Sequence, residues 1–391
     1  MTPFDLVIGG VPRFAAEAPW AWRLLRRYAT RLECATRTER PGQALTVAEA
    51  RGESPFVLIQ ADPESYLLPR AAQRLLAGLA EGAEIVIPVS NEPWTEEARA
   101  APPFAYTTPS QLEEAVEAAA RGAGSRFPAS GGASPVFALR RETLARFAPG
   151  EPLEEIPARA LRAGCSVFVD PGAYLHRYGA MDAQAREDLA ERVPEGARSV
   201  LDVGCSRGAT ARALRARGVA RLVGIEPDRE DAAAAAAVYD RVIARPLEEV
   251  GDDFAGQFDA VLFGDVLEHL VDPAEALTRV RPWLARDGAV IASVPNFGHW
   301  AVVADLIEGR FEYVPYSTLS GTHIRFFTRR TMHDLFGACG YAVDRVDSVE
   351  LPPSPAGTRR LARLAAFPGA SPDLTAAEFL IVARPHYDRR P

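Results

Sequence analysis

The chain has 391 residues, a formal net charge of −8 and 48% hydrophobic residues, enough for two or three domains with ordinary cores. All 44 of its basic residues are arginines, which excludes Schiff-base lysines, Walker-A lysines and lysine general bases. The acidic balance and the lack of a basic tract argue against nucleic acid as a partner.

The cysteines and the apolar runs predict a cytoplasmic protein without a metal site. Four cysteines lie far apart, with neither CxxC nor CxxxH spacing, a pattern that fits neither a disulfide framework nor a zinc site: Cys34, Cys165, Cys205 and Cys339. The N-terminus lacks a basic region followed by an apolar run, and no stretch approaches the roughly 18 apolar residues of a membrane span. We therefore expect a soluble protein without a transmembrane segment.

The first 179 residues alternate between short apolar runs and helical periodicity, as in an α/β domain. Strands are predicted at 55–59, 84–89, 135–139 and 166–169, with helices at 69–79, 111–121 and 156–163. Residues 180–198 are polar and contain a Pro/Gly turn, which predicts a linker helix before a second domain at 199–391.

Three segments of the first domain resemble the second half of nucleotide-sugar glycosyltransferases of the GT-A fold. They begin at Phe56, Val136 and Ala160, and the last leads to His176. In that family an Asp-x-Asp pair holds a metal and the sugar diphosphate, whereas this chain has Gln60-Ala61-Asp62 at the corresponding place. A lone acid supplies too few oxygen ligands for that chemistry. The resemblance therefore implies a degenerate GT-A-like domain that binds an acceptor or a partner.

The stretch from Ser199 to Gly208 predicts a buried strand, a tight turn and a helix. An apolar run contains Asp202, and Gly204 and Gly208 follow it. These glycines allow a sharp turn and a close approach of the backbone to a ligand lying across the strand ends. The next strand ends in Glu226, a carboxylate that can accept from two neighbouring hydroxyls.

From Ser199 onward the chain resembles the class I S-adenosylmethionine-dependent methyltransferases. Val200–Gly208 matches the turn that holds the methionine part of the cofactor, and Glu226 matches the acid that binds the ribose. The resemblance implies a Rossmann-like seven-stranded sheet of order 3-2-1-4-5-7-6 and S-adenosylmethionine as cofactor. It also implies these cofactor-binding residues: Asp202, Gly204, Cys205, Ser206, Gly208, Glu226, Pro227, Leu247, Asp265 and Val266.

Nicotinamide dehydrogenases are the main competing class for such a turn. The spacing here is Gly-x-x-x-Gly rather than Gly-x-Gly-x-x-Gly, an acid precedes the turn, and a Tyr-x-x-x-Lys pair is absent without lysine. One departure from the methyltransferases concerns the third strand, where Ala244-Arg245 replaces the Asp that usually accepts from adenine. The backbone near Pro246 and Leu247 is an alternative contact.

The acceptor side is predicted from two segments. Asp265 to Pro273 resembles a turn of small-molecule methyltransferases that borders both cofactor and acceptor. The insertion 297–328 is longer than a simple connection and is expected to be functional, as a lid over the acceptor. It resembles the matching segment of methyltransferases associated with glycosyltransferases of cell-surface polysaccharide pathways.

Three histidines are candidates for the base that removes a proton from an acceptor hydroxyl, because imidazole titrates near neutral pH: His269, His299 and His323. Packing or helix capping is the alternative for His269, and a hydrogen bond from the lid to the sheet edge is the alternative for His299 and His323. Four residues are candidates for binding the acceptor: Asn296, Tyr313, Tyr316 and Arg325. Arg325 would hold an acidic group of the substrate or tie down the lid.

The sequence thus predicts an O-methyltransferase for a sugar, a saccharide or a related metabolite. Its N-terminal domain would recruit the acceptor, mediate a homodimer or bind a biosynthetic partner protein. Two alternatives stay open, namely a bifunctional glycosyltransferase/methyltransferase and a non-catalytic S-adenosylmethionine-binding protein. Three arginines beside apolar residues in 358–367 would allow contact with a membrane surface, although such residues are more often solvated.

Overall fold

The protein is described by a computed structural model covering residues 3–10, 18–177, 185–251, 254–314 and 317–386. Two compact units form: Met1–Ala180 with Glu312–Gly321, and Met181–Phe311 with Thr322–Pro391. The first unit thus includes part of the predicted lid. There Glu312 pairs with Arg27, and the Ser317 hydroxyl donates to the carbonyl of Thr107. The insertion 297–328 is therefore not one structural piece, because its middle makes its own contacts within the first unit.

The first unit is built on a mixed eight-stranded sheet. Its strands are β1 (Phe4–Gly10), β2 (Thr36–Pro41), β3 (Phe56–Gln60), β4 (Ser65–Tyr66), β5 (Ile85–Ser90), β6 (Phe127–Pro128), β7 (Val136–Arg140) and β8 (Val167–Arg177). They lie in the order β2-β1-β3-β7-β5-β8-β4, with β6 also paired to β8. The strands β1, β3 and β5 are buried along their whole length, as continuous apolar runs predict.

Five helices accompany this sheet: α1 (Ala18–Thr30), α2 (Pro69–Ala80), α3 (Pro109–Gly122), α4 (Arg141–Leu144) and α5 (Ile156–Arg162). Strand β8 runs eight residues beyond its predicted end at Val169. Pro171 lacks an amide donor, which favours a strand end at this point. Pairing with β5 nevertheless resumes after a register shift between Pro88 and Val89, so the strand continues to Arg177.

The second unit contains a seven-stranded sheet. Its strands are β9 (Ser199–Val203), β10 (Arg221–Ile225), β11 (Arg241–Ile243), β12 (Phe258–Gly264), β13 (Leu284–Pro295), β14 (Tyr341–Glu350) and β15 (Ala376–Pro385). They lie in the order β11-β10-β9-β12-β13-β15-β14. The first five are parallel, and β15 is antiparallel to both of its neighbours. The carboxyl ends of β9, β10 and β12 therefore meet at one edge of the sheet.

The helices of this unit are α6 (Glu187–Arg192), α7 (Ala211–Ala216), α8 (Arg229–Ala235), α9 (Pro273–Val280), α10 (Trp300–Ile307), α11 (Arg329–Ala338) and α12 (Pro355–Ala365). Helix α6 occupies the predicted linker, but it is not a free connector. Its Leu189 and Ala190 are buried in one apolar cluster with Val200 and Leu262, so burial of its apolar face fixes it to this core. Across the described ranges, we find no helix with the length and apolar character needed to cross a bilayer.

Helix α12 lies inside the Pro-rich segment 352–374. The Ser354 hydroxyl caps it by accepting from the amide of Gly357 at 2.9 Å, and Pro355 occupies its first turn. Gly357 faces the indole of Trp300, which is 1% exposed. A Cβ at this glycine would lie 2.5 Å from Cη2 of that ring. Close approach to Trp300 thus requires the smallest side chain here.

Gly357→Ala is therefore expected to destabilise the protein by about 1–3 kcal/mol through overpacking. The control is Gly337→Ala in α11, where an added Cβ meets nothing within 4 Å. That change should be neutral or stabilise by up to about 1 kcal/mol, through helix propensity. Urea unfolding of both variants measures the difference. Equal effects at the two positions would contradict the role assigned to the Trp300 contact.

Candidate active site

The turn after β9 takes the shape that its glycines predict. Gly204 and Gly208 have φ values of +72° and +87°, in the left-handed region that favours glycine. A Cβ at Gly204 would lie 2.6 Å from Cγ2 of Val266, the residue after Asp265. The amides of Gly204 and Cys205 donate to the carbonyl of Ile225, at 2.8 and 3.2 Å. The turn is thereby fixed to the end of the neighbouring strand β10.

Glu226 lies directly after β10 and faces this turn. Its Oε2 accepts from the amide of Ser206 and its Oε1 from the amide of Asp228, both at 2.9 Å. The side chain is buried, and burial raises the pKa of its carboxyl group. Each oxygen keeps a second acceptor position beside the one in use. The carboxylate is thus held by two backbone amides and retains capacity for two further donors.

Four other predicted cofactor residues occupy different surroundings. The Cys205 side chain is buried in the core behind the turn, where a Cβ at Gly224 would meet its Sγ at 2.5 Å. Only the backbone of Cys205 is therefore suited to a ligand contact. Leu247 is buried in the core, Pro227 is exposed, and Val266 is half-buried under Gly204.

Asp202 is a buried acid within β9. Its Oδ2 accepts from the hydroxyl of Tyr239 at 2.5 Å, and the residue is 6% exposed. Burial raises the pKa of Asp202 to about 6, against the opposing effect of the Tyr239 hydrogen bond. A buried acid with a raised pKa destabilises the fold when it is ionised. A bound cationic ligand would offset this cost, which is why such acids are common at binding sites.

The elevated pKa of Asp202 has a consequence for stability. As pH rises from about 4 to 6, the unfolded chain releases this proton while the folded protein keeps it, so folding stability falls by up to about 3 kcal/mol. Asp202→Asn has no carboxyl group to ionise and should not show this fall in folding stability. Its stability relative to the unsubstituted protein should therefore increase from about pH 4 up to pH 7. Urea unfolding without cofactor measures it. Asp287→Asn, at an exposed position, is the control, and a pH-independent advantage of Asp202→Asn would contradict the assignment.

Asp265 belongs to an ionic cluster centred on Arg186. The guanidinium of Arg186 pairs with Asp265, with Asp188 at 2.9 Å and with Glu378 at 2.6 Å. Ser293 completes the cluster, because its hydroxyl donates to Oδ1 of Asp265 at 2.8 Å and accepts from Arg186 at 3.0 Å. Asp265 itself has φ +53°. Its carboxylate is thus directed by protein partners that local sequence did not indicate.

The predicted turn after β12 and the second part of the lid come together at Glu268. The amides of Ile324 and Arg325 both donate to the backbone carbonyl of Glu268, at 2.9 and 3.0 Å. The rings of His269 and His323 consequently lie 4.7 Å apart between centroids, in an edge-to-face arrangement. Nε2 of His323 is 4.0 Å from Oε1 of Glu268. The structure therefore groups two of the three candidate histidines with an acid that the sequence analysis did not select.

His299 is placed elsewhere, at the start of α10. It is 1% exposed, its Nδ1 accepts from the amide of Ala301 at 3.4 Å, and burial lowers its pKa to about 4. His299 thus caps the first turn of α10, a structural use that the sequence did not predict.

Asn296, a predicted acceptor-binding residue, makes hydrogen bonds to three backbone groups. Its Nδ2 donates to the carbonyls of Asp373 and Ala376, at 2.9 and 2.7 Å, and its Oδ1 accepts from the amide of Gly298 at 2.9 Å. The residue is 1% exposed, so it fixes the start of the insertion rather than presenting its amide to a ligand.

The remaining acceptor candidates are more exposed. Arg325 donates to the backbone carbonyls of Val271 and Ile324, which supports its role in tying down the lid. Tyr313 is 37% exposed and belongs to the first unit, and Tyr316 lies outside the described residues.

Within the second unit, Phe297, Phe311 and Phe326 form an aromatic group with ring centroids 4.5–6.5 Å apart. Phe311 and Phe326 are about 40% exposed. The insertion thus presents apolar rings at its surface.

The lone acid of the first unit is engaged by its neighbours. Oδ2 of Asp62 accepts from Nε of Arg177 at 2.7 Å and from the hydroxyl of Ser65 at 2.6 Å, and Oδ1 accepts from the amide of Glu64 at 3.2 Å. Gln60 donates to the carbonyl of Ser65. Both side chains therefore serve the local structure.

Residues 174–346 match a family model described as a methyltransferase domain. The match takes in β9 to β13 and part of β14. Most of the second unit is thus similar to a methyltransferase domain, and this similarity supports S-adenosylmethionine as the cofactor.

Two curated relatives are named ubiquinone biosynthesis O-methyltransferase. The protein from Pseudomonas paraeruginosa is 30% identical over 144 residues, which are 34% of this chain and 60% of that protein. The protein from Bradyrhizobium diazoefficiens is 33% identical over 134 residues, 33% of this chain and 51% of that protein. The chain therefore spans about half to 60% of the length of these relatives.

Among solved structures, one from Mesorhizobium loti is described as an S-adenosylmethionine-dependent methyltransferase. It is 21% identical, with a TM-score of 0.36, and the similarity covers 50% of this chain and 95% of that chain.

Proposed function

We propose that this protein is an S-adenosylmethionine-dependent methyltransferase that methylates a hydroxyl group of a sugar, a saccharide or a related small metabolite. The observation that carries the proposal is the pairing of the Gly204–Gly208 turn with the Glu226 carboxylate, at the ends of two adjacent parallel strands. The match of 174–346 to a methyltransferase domain supports it independently.

The residues of this edge suit the proposed cofactor. Glu226 has an acceptor position on each oxygen for the two ribose hydroxyls, and the left-handed glycines of the turn hold the Ser206 amide against this carboxylate. Asp202 supplies a buried negative charge near the same turn. When bound, S-adenosylmethionine supplies a methyl group already activated by its sulfonium, so the protein mainly has to align the acceptor and exclude water.

The acceptor hydroxyl must lose its proton during transfer. The turn after β12 and the end of the insertion supply His269 and His323 for that step, and the buried capping position of His299 disfavours it. The exposed rings of Phe311 and Phe326 offer apolar surface for one face of an acceptor. Such a face occurs on sugar rings and on aromatic metabolites alike.

For the first unit we propose recruitment of the acceptor or of a partner protein. Asp62 is bonded to Arg177, Ser65 and the amide of Glu64, which disfavours its use as a metal ligand in glycosyl transfer. The GT-A resemblance of this unit stays a prediction.

The decisive experiment incubates the protein and a cell extract with S-adenosylmethionine that carries an isotopically labelled methyl group. Mass spectrometry should detect a labelled product that does not form with Glu226→Ala. Cofactor binding without transfer to any extract component would instead indicate a sensor. Nucleotide-sugar hydrolysis that is lost in Asp62→Ala would overturn the assignment of the first unit and support a bifunctional enzyme.

A further inference from the structure

Three side chains of the second unit bring metal-binding atoms together. Glu268, His269 and His323 each offer one nitrogen or oxygen atom, and these atoms all lie within 4.8 Å of one another. No metal site is predicted from the sequence, because the cysteines lack the spacing of metal ligands. These three side chains come from two segments more than 50 residues apart, and a short sequence motif cannot show that such distant segments meet.

The buried carboxylate of Glu268 is the strongest indication of a cation-binding site. The residue is 1% exposed, and neither of its carboxylate oxygens accepts a hydrogen bond from another residue in the described ranges. A buried carboxylate without a partner is costly while it is ionised, so the group either holds a proton or is compensated by a cation. Nε2 of His323 lies 4.0 Å from Oε1 of Glu268, which is beyond hydrogen-bonding distance.

The backbone fixes this arrangement. The amides of Ile324 and Arg325 hold the segment after His323 on the carbonyl of Glu268, and the His269 amide donates to the carbonyl of Val266 at 3.0 Å. The His269 ring also donates to the backbone carbonyl of Thr322. Metal-binding histidines characteristically use their second nitrogen in this way, which fixes the ring and leaves the other nitrogen for the ion.

Two imidazoles and one carboxylate select the kind of ion. Mg²⁺ and Ca²⁺ prefer oxygen ligands alone, whereas imidazole suits first-row transition metals and zinc. Three protein ligands leave at least one coordination position open, as in catalytic rather than structural zinc sites. In a filled shell, ligand atoms about 2.0–2.2 Å from the ion lie roughly 3–3.5 Å apart, so binding would draw these side chains together by about 1 Å.

We propose that Glu268, His269 and His323 bind one divalent ion of the zinc class, with an open position for an oxygen of the acceptor. A hydroxyl bound to such an ion would lose its proton to solvent water more readily, because the ion stabilises the resulting anion. The acceptor oxygen would then bond to the methyl group as the bond from methyl to sulfonium sulfur breaks, which leaves a neutral thioether. The two histidines then act as ligands instead of bases. This role toward the acceptor rests on the proposed methyl transfer, whereas binding of the ion does not.

Binding is tested on the full chain after treatment with a chelator, with Zn²⁺ alone as the probe. Calorimetry and elemental analysis should show one equivalent bound, and an equal concentration of Mg²⁺ should not displace it. Glu268→Gln and His323→Ala should each weaken Zn²⁺ binding about 100-fold or more. His333→Ala, which removes an exposed histidine on α11, should leave it unchanged. No stoichiometric Zn²⁺, or equal loss in His333→Ala, would overturn the site.

Two further measurements guard against misfolded variants and separate the two proposals. S-adenosylmethionine binding by Glu268→Gln should match the unsubstituted protein, and Co²⁺ in the unsubstituted protein should give the absorption bands of a four- or five-coordinate ion. An octahedral Co²⁺ spectrum identical to that of the aqueous ion would count against the site. Stoichiometric Zn²⁺ without methyl transfer would keep the site and refute the proposed function. Methyl transfer that survives complete metal removal would refute the ion's role toward the acceptor, whereas failure of the metal-free protein to take up Zn²⁺ would refute the site alone.

Discussion

Glu226→Ala is expected to weaken S-adenosylmethionine binding by about 100-fold or more. The substitution removes two charge-assisted hydrogen bonds to the proposed ribose hydroxyls, each worth about 1.5–3 kcal/mol. It also removes the acceptor that holds the amides of Ser206 and Asp228. Calorimetric titration with the cofactor measures the change directly.

The matched control for this prediction is Glu248→Ala, an exposed carboxylate in the turn that follows β11. Its affinity should stay within about twofold of the unsubstituted protein, because an exposed charge contributes little. Glu226→Gln keeps one acceptor oxygen and should give an intermediate affinity. If Glu226→Ala bound the cofactor as well as Glu248→Ala does, the site assigned at the ends of β9 and β10 would be wrong.

Arg186→Met is expected to destabilise the second unit by about 3–5 kcal/mol. Arg186 is the shared partner of Asp188, Asp265 and Glu378, and removing it leaves these carboxylates without their cation. Burial and the charge of Asp265 already raise the pKa of Glu378 to about 8 with the arginine in place. Urea unfolding at pH 7 measures the loss.

Adding Asp265→Asn to Arg186→Met should restore part of the stability, because it removes one of the negative charges that Arg186 compensates. Arg330→Ala is the control, since this arginine is 91% exposed and its carboxylate partner, Asp334, lies 4.0 Å away. It should change stability by less than about 0.5 kcal/mol. Similar losses for Arg186→Met and Arg330→Ala would show that the ionic cluster does not stabilise the fold.

Local sequence was informative where a single segment determines the structure. Continuous apolar runs located the buried strands, and the glycine spacing predicted the left-handed backbone at Gly204 and Gly208. Helix α12 was only partly anticipated, although Ser354 followed by Pro355 is a recognisable start signal.

Contacts between residues that are distant in the sequence were harder to predict. Arg186 meets Asp265 and Glu378 across 79 and 192 residues, and periodicity carries no information about such pairs. The same applies to Glu268 and His323, which backbone hydrogen bonds bring together. His299 is a candidate base because imidazole titrates near neutral pH, and Asn296 is a candidate for binding the acceptor, but burial and backbone bonding give both a structural use.

The two ends of the insertion 297–328 meet at one point of the sheet edge. Asn296 pairs with Phe327, and the amide of Phe297 donates to the carbonyl of Phe327 at 2.9 Å. The intervening chain thus leaves and returns at the same place, and doubling the length of such an excursion costs only about 0.6 kcal/mol in loop-closure entropy. Changes in the length of this stretch are therefore tolerable for the sheet. Under the proposed function, such changes would alter the surface offered to the acceptor while the ends of β9 and β10 keep their structure.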